Sequence, residues 1–97
     1  MNRVRRERKS MKNVKLFLLD NCPYCIKALR YIEELKEEYP DLKAVNIHMI
    51  EERKEKELAD SYDYYLVPSF YVDEVKVHEG AVSKKQVLEI LTSVSEA

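Results

Sequence analysis

Apolar and polar positions along this chain alternate with periods that change from stretch to stretch. Val14-Lys15-Leu16-Phe17-Leu18-Leu19 is almost continuously apolar, as expected of a central strand buried on both faces. Asp20-Asn21 interrupts the run, and either residue is suited to cap a following helix. From Pro23 onward, Ile26, Leu29, Ile32, Leu35 and Tyr39 recur at spacings of three and four, which predicts one apolar helical face. Glu33, Glu34, Lys36, Glu37 and Glu38 populate the other side. Tyr39-Pro40-Asp41 ends the pattern, because a residue preceding proline avoids the α region. A second strand is expected over Lys43–Met49. Strand, helix and strand at this spacing make a βαβ unit with parallel strands and a right-handed crossover.

The charged run Glu51-Glu52-Arg53-Lys54-Glu55-Lys56-Glu57 consists of good helix formers and predicts a solvated helix, with Leu58, Ala59 and Tyr62 turned inward. Asp63 to Val67 reads as a loop. After Pro68, Ser69-Phe70-Tyr71-Val72 and Val75-Lys76-Val77-His78-Glu79 are two β-rich runs separated by Asp73-Glu74. That spacing predicts a hairpin, although Asp-Glu is poor chemistry for a type I′ turn. Gly80 ends the second run. Ser83-Lys84-Lys85-Gln86 is a capping box opening a last helix, whose apolar face is Val87, Leu88, Leu91 and Val94. The predicted order is β-α-β-α-β-β-α: an α/β domain over residues 11–97 with a central four-stranded mixed sheet flanked by helices.

Composition narrows the functional classes. Ninety-seven residues, 45% apolar and 36% charged, make one small domain with a modest core. The formal charge is −1, so the chain as a whole is no polycation, and neither a nucleic-acid nor a membrane partner is expected. Residues 1–10 hold five positive charges and one negative, and read as a disordered basic arm. A single glycine, Gly80, excludes a glycine-rich phosphate loop. No apolar run approaches membrane-spanning length, and Leu16 to Leu19 is too short for a signal-peptide core. Two cysteines are too few for a disulfide-stapled secreted scaffold, so a reducing, cytoplasmic setting is expected.

Those two cysteines carry the chemistry. Cys22-Pro23-Tyr24-Cys25 stands at the start of the first helix, where residues three apart lie about 5–6 Å apart between Cβ atoms. A slight tightening brings them within the range of a disulfide, so the pair can close and open without refolding. Cys22 falls at the helix N-cap or first turn, where unpaired N–H groups favour a thiolate. Cys25 lies one turn further in, more buried and less ionised. Cys22 is therefore expected to attack a disulfide, and Cys25 to resolve the mixed disulfide that forms. Zinc is the competing use of such a pair, but it needs two more ligands. The only histidines, His48 and His78, have no cysteine or histidine neighbour at ligand spacing. No metal site is expected.

The strand, the Cys-Pro-Tyr-Cys tetrapeptide, the helix and the later Val67-Pro68 step together resemble the glutaredoxin family, within the thioredoxin-fold superfamily, over roughly residues 13–95. The resemblance implies a thiol–disulfide oxidoreductase that reduces protein disulfides or glutathione mixed disulfides. Cys22 would be the nucleophile and Cys25 the resolving thiol. Tyr24 would flank the substrate cleft, Val67 would pair its backbone with glutathione, Pro68 would follow a cis peptide bond, and Gly80 would line the glutathione site. It further implies a monomer with no tightly bound cofactor, glutathione as co-substrate and a reductase as electron donor.

Several positions depart from that pattern. Leu19 stands where glutaredoxins often place lysine, and Leu66 where they place threonine. His78-Glu79-Gly80-Ala81-Val82-Ser83 replaces their Gly-Gly and acidic or serine grip, with Ser83 at most a shifted counterpart. Ala59, Tyr62, Pro68 and Phe70 instead resemble the spacing before the cis-proline of thioredoxins, although the Trp-Cys-Gly-Pro-Cys motif is absent and Leu16 falls near the place of the buried aspartate. A protein-disulfide reductase recycled by a flavoprotein is thus the alternative. A [2Fe–2S]-binding dimer, held through the first cysteine and glutathione, is a further one.

Overall fold

β1 (Val14–Leu18) runs through the middle of a four-stranded sheet and is buried along nearly its whole length. In the computed structural model, which describes residues 12–96, the strand order is β2-β1-β3-β4, with β2 Ile47–Glu51, β3 Ser69–Val72 and β4 Val75–Glu79. The basic arm expected at residues 1–10 lies outside the described residues. β2 pairs parallel to β1, with Val14 opposite Ile47 and Leu18 opposite Glu51. β3 pairs antiparallel to β1, and β4 antiparallel to β3 with an irregularity between Phe70 and Tyr71. This is the thioredoxin-like arrangement of a mixed sheet flanked by helices.

Side chains alternate across the pleat, so β1 serves two cores. Val14, Leu16 and Leu18 face the helices α1 (Pro23–Glu38) and α3 (Lys84–Ser95), with Phe70, Leu35, Val87 and Leu91 among their neighbours. Phe17 faces the other way, into a smaller cluster with Ile50, Ala59 and Tyr71. Only five residues of helix, α2 (Lys56–Asp60), cover that side. Tyrosine rings complete the cover: those of Tyr62 and Tyr64 each lie 4.8 Å from the Phe17 ring, centroid to centroid.

Three expectations are corrected. The buried stripe of α1 is Cys25, Ala28, Ile32 and Leu35, whereas Ile26 and Tyr39 are exposed and Leu29 is half-buried. Cys25 and Ala28 lie on the side of the helix that also carries Ile32 and Leu35, so that side packs into the main core and Ile26 is left outside. The second strand is Ile47–Glu51 rather than Lys43–Met49, because Pro40 opens a 3₁₀ helix (Pro40–Ala44) that buries Leu42 and delays the extended chain. The charged run does not begin a helix at Glu51. That residue ends β2, and α2 starts at Lys56. The cause is a turn built on Glu51: its carbonyl accepts the N–H groups of Lys54 and Glu55, and its carboxylate accepts that of Arg53 at 2.7 Å. Leu58, Ala59 and Tyr62 do pack inward on the Phe17 cluster.

The hairpin turns at Asp73 and Glu74, both at positive φ (49° and 70°), as a type I′ turn requires of its central pair. Contacts from elsewhere hold them there. Asp73 exchanges hydrogen bonds with Asn13 across the sheet end, and the Glu74 carboxylate takes Lys15 and the Tyr62 hydroxyl. The capping box of α3 is present, Ser83 Oγ accepting the Gln86 N–H and the Gln86 side chain accepting the Ser83 N–H.

Candidate active site

The carboxyl end of β1 delivers the chain directly to α1, and the turn between them is held at both ends. The Cys22 N–H donates to the Leu19 carbonyl, and the Asp20 N–H donates to the Glu51 carboxylate at 3.0 Å. Glu51 is 8% exposed, an unusual place for a charge unless it is partnered. The Asp20 N–H comes first among the groups holding its carboxyl ionised; burial opposes, and the Arg53 N–H and guanidinium add to the effect, bringing its pKa down to about 2. Glu51 thus ties the turn before the cysteines to the end of the neighbouring strand.

Cys22 is the N-cap of α1, extended at φ −83° and ψ 119°, with Pro23 filling the first helical position, where a missing N–H costs nothing. Its thiol is half-buried, while Cys25 is 1% exposed and belongs to the main core. Both are free thiols, each within reach of the other. Burial works against ionising Cys22. The Cys25 N–H, the Cys25 thiol and the Tyr24 N–H, all directed at its sulfur, outweigh it and hold its pKa below the ordinary thiol range. Cys25 goes the other way, pushed up to about 12. Burial is the main cause, the Cys22 sulfur and the charge of Glu52 add to it, and only the Leu19 backbone opposes. The two sulfurs are thereby made unequal, one inclined to ionise and the other kept protonated behind it.

The Cys22 thiol faces the Val67 carbonyl at 3.9 Å. The Val67–Pro68 peptide is cis, Pro68 is buried and Val67 is half-buried. Gly80, buried at φ +92°, donates its N–H to the Pro68 carbonyl at 2.8 Å, and a Cβ there would stand 3.3 Å from Leu66 Cδ1. Of the residues expected at the site, the structure therefore brings Cys22, Cys25, Val67, Pro68 and Gly80 together. Tyr24, in the same tetrapeptide, is 54% exposed, and Ile26 and Leu66, the residues next to Cys25 and Val67 in the chain, are also more than half exposed. A hollow of about 520 Å³ between α2 and the loop that follows it does not include Cys22 in its wall. The half-buried Cys22 thiol stands on a ledge outside it.

Ser83, the candidate counterpart of a glutathione grip, has its hydroxyl engaged in capping α3. His48 lies on β2 and His78 on β4, the two opposite edges of the sheet. Among the described residues, no group of three or more His, Cys, Asp or Glu side chains is placed to hold a metal ion. No helix among them is long and apolar enough to cross a membrane. The sequence pattern missed three carboxylates. Glu51 holds the turn before Cys22, and Glu52 places its charge where Cys25 feels it while accepting the Tyr64 hydroxyl at 2.8 Å. Glu79 accepts the N–H groups of Tyr65 and Leu66. Glu51 and Glu52 look like any other members of a charged run, and nothing local marks them.

Comparison with known proteins gives a consistent result. A family model described as a thioredoxin domain matches residues 12–92. A curated protein named probable thioredoxin, from Methanothermobacter thermautotrophicus, is 27% identical over 84 residues, covering 87% of this chain and 96% of the relative. Among solved structures, a thioredoxin variant from Halobacterium salinarum superposes with a TM-score of 0.66 at 21% identity, covering 91% of this chain and 78% of the other. A thioredoxin-like protein from Clostridium perfringens gives a TM-score of 0.65 at 26% identity over 90% of this chain and 73% of the other.

Proposed function

The chain belongs to the thioredoxin-domain family, a family of thiol–disulfide oxidoreductases, and from that premise we propose that it reduces disulfide bonds in proteins and is recycled by a flavoprotein reductase in the cytoplasm. The observation that carries this reading is the division of labour in the pair: Cys22 half-buried and inclined to ionise at a helix N-cap, Cys25 buried and protonated one turn behind.

The chemistry follows from that division. The Cys22 thiolate attacks one sulfur of a substrate disulfide, forming a mixed disulfide and releasing the other substrate sulfur as a thiolate, which takes a proton. Cys25 then loses its proton and attacks the Cys22 sulfur. The second substrate sulfur leaves with the electron pair and is protonated, and Cys22 and Cys25 remain joined. Two electrons have passed to the substrate, and a dithiol must return them to the protein. Val67 offers its backbone beside the reacting sulfur, the place where an extended peptide can pair as a strand does.

A glutathione-driven, glutaredoxin-type cycle is the second reading, supported by the Cys-Pro-Tyr-Cys tetrapeptide. The surroundings weigh against it. Leu19 supplies no cation for a glutathione carboxylate, Ser83 is committed to a helix cap, and Ala81 and Val82 follow Gly80. Two recycling assays with a protein disulfide separate the readings. Turnover with NADPH and thioredoxin reductase, and little with glutathione, NADPH and glutathione reductase, is the expected result. The reverse pattern assigns the glutathione cycle, and turnover with neither refutes both.

A further inference from the structure

The segment that faces Cys22 is packed at its ends but not between them. Tyr64 stacks on Phe17 and Val67 packs against the main core, whereas Tyr65 is 88% exposed and Leu66 59%, so packing does little to fix the backbone of those two residues. Polar groups from the hairpin take that place. The Glu79 carboxylate accepts the Tyr65 N–H at 2.5 Å and the Leu66 N–H at 2.8 Å, both on the same oxygen, Oε2. Its other oxygen accepts Lys76 Nζ at 2.7 Å, and Lys76 also reaches the Asp63 carbonyl at 3.1 Å. The Ser69 hydroxyl donates to the Leu66 carbonyl and the Tyr71 hydroxyl to that of Asp63. Glu79 is the only ionised member of this set to take two consecutive N–H groups, and bonds to a charged acceptor are the strong ones.

We propose that Glu79 is the positioning residue of the substrate ledge: its carboxylate clips Tyr65 and Leu66 to the end of β4 and so presents the Val67 backbone to a peptide bound at Cys22. The proposal rests on the reading of the site as a protein-disulfide reductase. It assigns Glu79 to peptide recognition and not to sulfur chemistry, because Glu79 bonds the strand-like segment whereas the groups that favour the Cys22 thiolate are those of Cys25 and Tyr24. Glu79 lies on an edge strand whose Val75 and Val77 are exposed, so its polar partners, not the core, account for its orientation.

The test compares Glu79→Ala and Glu79→Gln with the parent on a protein disulfide, on a small organic disulfide, and in the rate of Cys22 alkylation against pH. Removing a charged acceptor shared by two N–H groups is expected to raise KM for the protein disulfide about tenfold in Glu79→Ala. In the same variant, kcat, small-disulfide reduction and the alkylation profile stay within about twofold. Glu79→Gln keeps an oxygen for both N–H groups but loses the charge and turns its NH2 toward Lys76, so its KM falls between those of the parent and Glu79→Ala, with kcat and the alkylation profile within about twofold of the parent. An unchanged KM in Glu79→Ala, or an equal fall in Cys22 alkylation, overturns the proposal, as does a Glu79→Gln as impaired as Glu79→Ala. Should Glu79→Ala not fold, hydrogen exchange on the parent and on Glu79→Gln decides: slow exchange at Tyr65 and Leu66 in both supports the clip, and fast exchange in the parent overturns it. A parent inactive on protein disulfides refutes the reductase reading itself, while the exchange measurement still judges the clip.

Discussion

Limited alkylation of the reduced protein with iodoacetamide at pH 7 tests the division of labour between the two sulfurs. With its pKa near 12, Cys25 is a thiolate in only about one molecule in a hundred thousand at that pH. An ordinary thiol would be ionised to about 3%, and Cys22 lies on the more acidic side of ordinary. The ratio of thiolate populations is therefore at least about three and a half powers of ten. A more basic thiolate is intrinsically more nucleophilic, with a Brønsted slope of about 0.4–0.5, which returns roughly one and a half powers of ten to Cys25. The net preference for Cys22 is about a hundredfold from ionisation alone, and burial of Cys25 widens it. Both sulfurs lie on the tryptic peptide Leu16–Lys27, so fragment spectra of that peptide, taken over a pH series, locate each label. Single labelling at Cys22, with a profile inflecting below the usual thiol range, is expected. Comparable labelling of both, or labelling of Cys25 first, refutes the reasoning.

Three further outcomes follow from the same geometry. Glu51 keeps a depressed pKa of about 2 in the folded chain, so its contribution to stability is complete above about pH 4.5 and is lost as the pH falls towards 2. Urea midpoints of the parent and Glu51→Gln should then differ at pH 7 and converge on acidification, and a gap that widens in acid contradicts the assignment. Gly80→Ala places a Cβ against Leu66 at positive φ, and is expected to cost about 1–2 kcal/mol in chemical denaturation and to weaken protein-disulfide reduction; unchanged stability argues against the close approach. Leu16→Ala empties a fully buried site on the central strand and should cost about 2–5 kcal/mol by the same measurement.

What could be read from sequence was what short-range physics decides. The apolar run of β1, the proline at the first turn of α1 and the reciprocal bonds of Ser83 and Gln86 each involve residues within a few positions of one another. The Cys-Pro-Tyr-Cys stretch belongs to the same class. The face of α1 was harder to place, because Cys25 and Ala28 carry little hydrophobic weight yet occupy the buried stripe. Asp73 and Glu74 are poorly suited to their turn and adopt it because Asn13, Lys15 and Tyr62 reach them from distant parts of the chain. Glu51 and Glu79 were hidden for the same reason. The Asp20 N–H that Glu51 accepts lies 31 positions away, and those that Glu79 accepts lie 14 and 13 away. A charge in a solvated run and a charge that pins a loop are spelled alike, and only the fold separates them.

Cys25 shares one buried stripe with Ala28, Ile32 and Leu35, so one sulfur of the pair is also part of the packing that holds the fold together. Reduction potential and melting temperature then become two measurements of a single difference, that between the stability of the dithiol form and that of the oxidised form. A packing change at Ala28 or Ile32 that weakens the dithiol form by 1.4 kcal/mol more than the oxidised one makes the protein about 30 mV more reducing, without touching either sulfur. Redox poise can be tuned here from the middle of a helix.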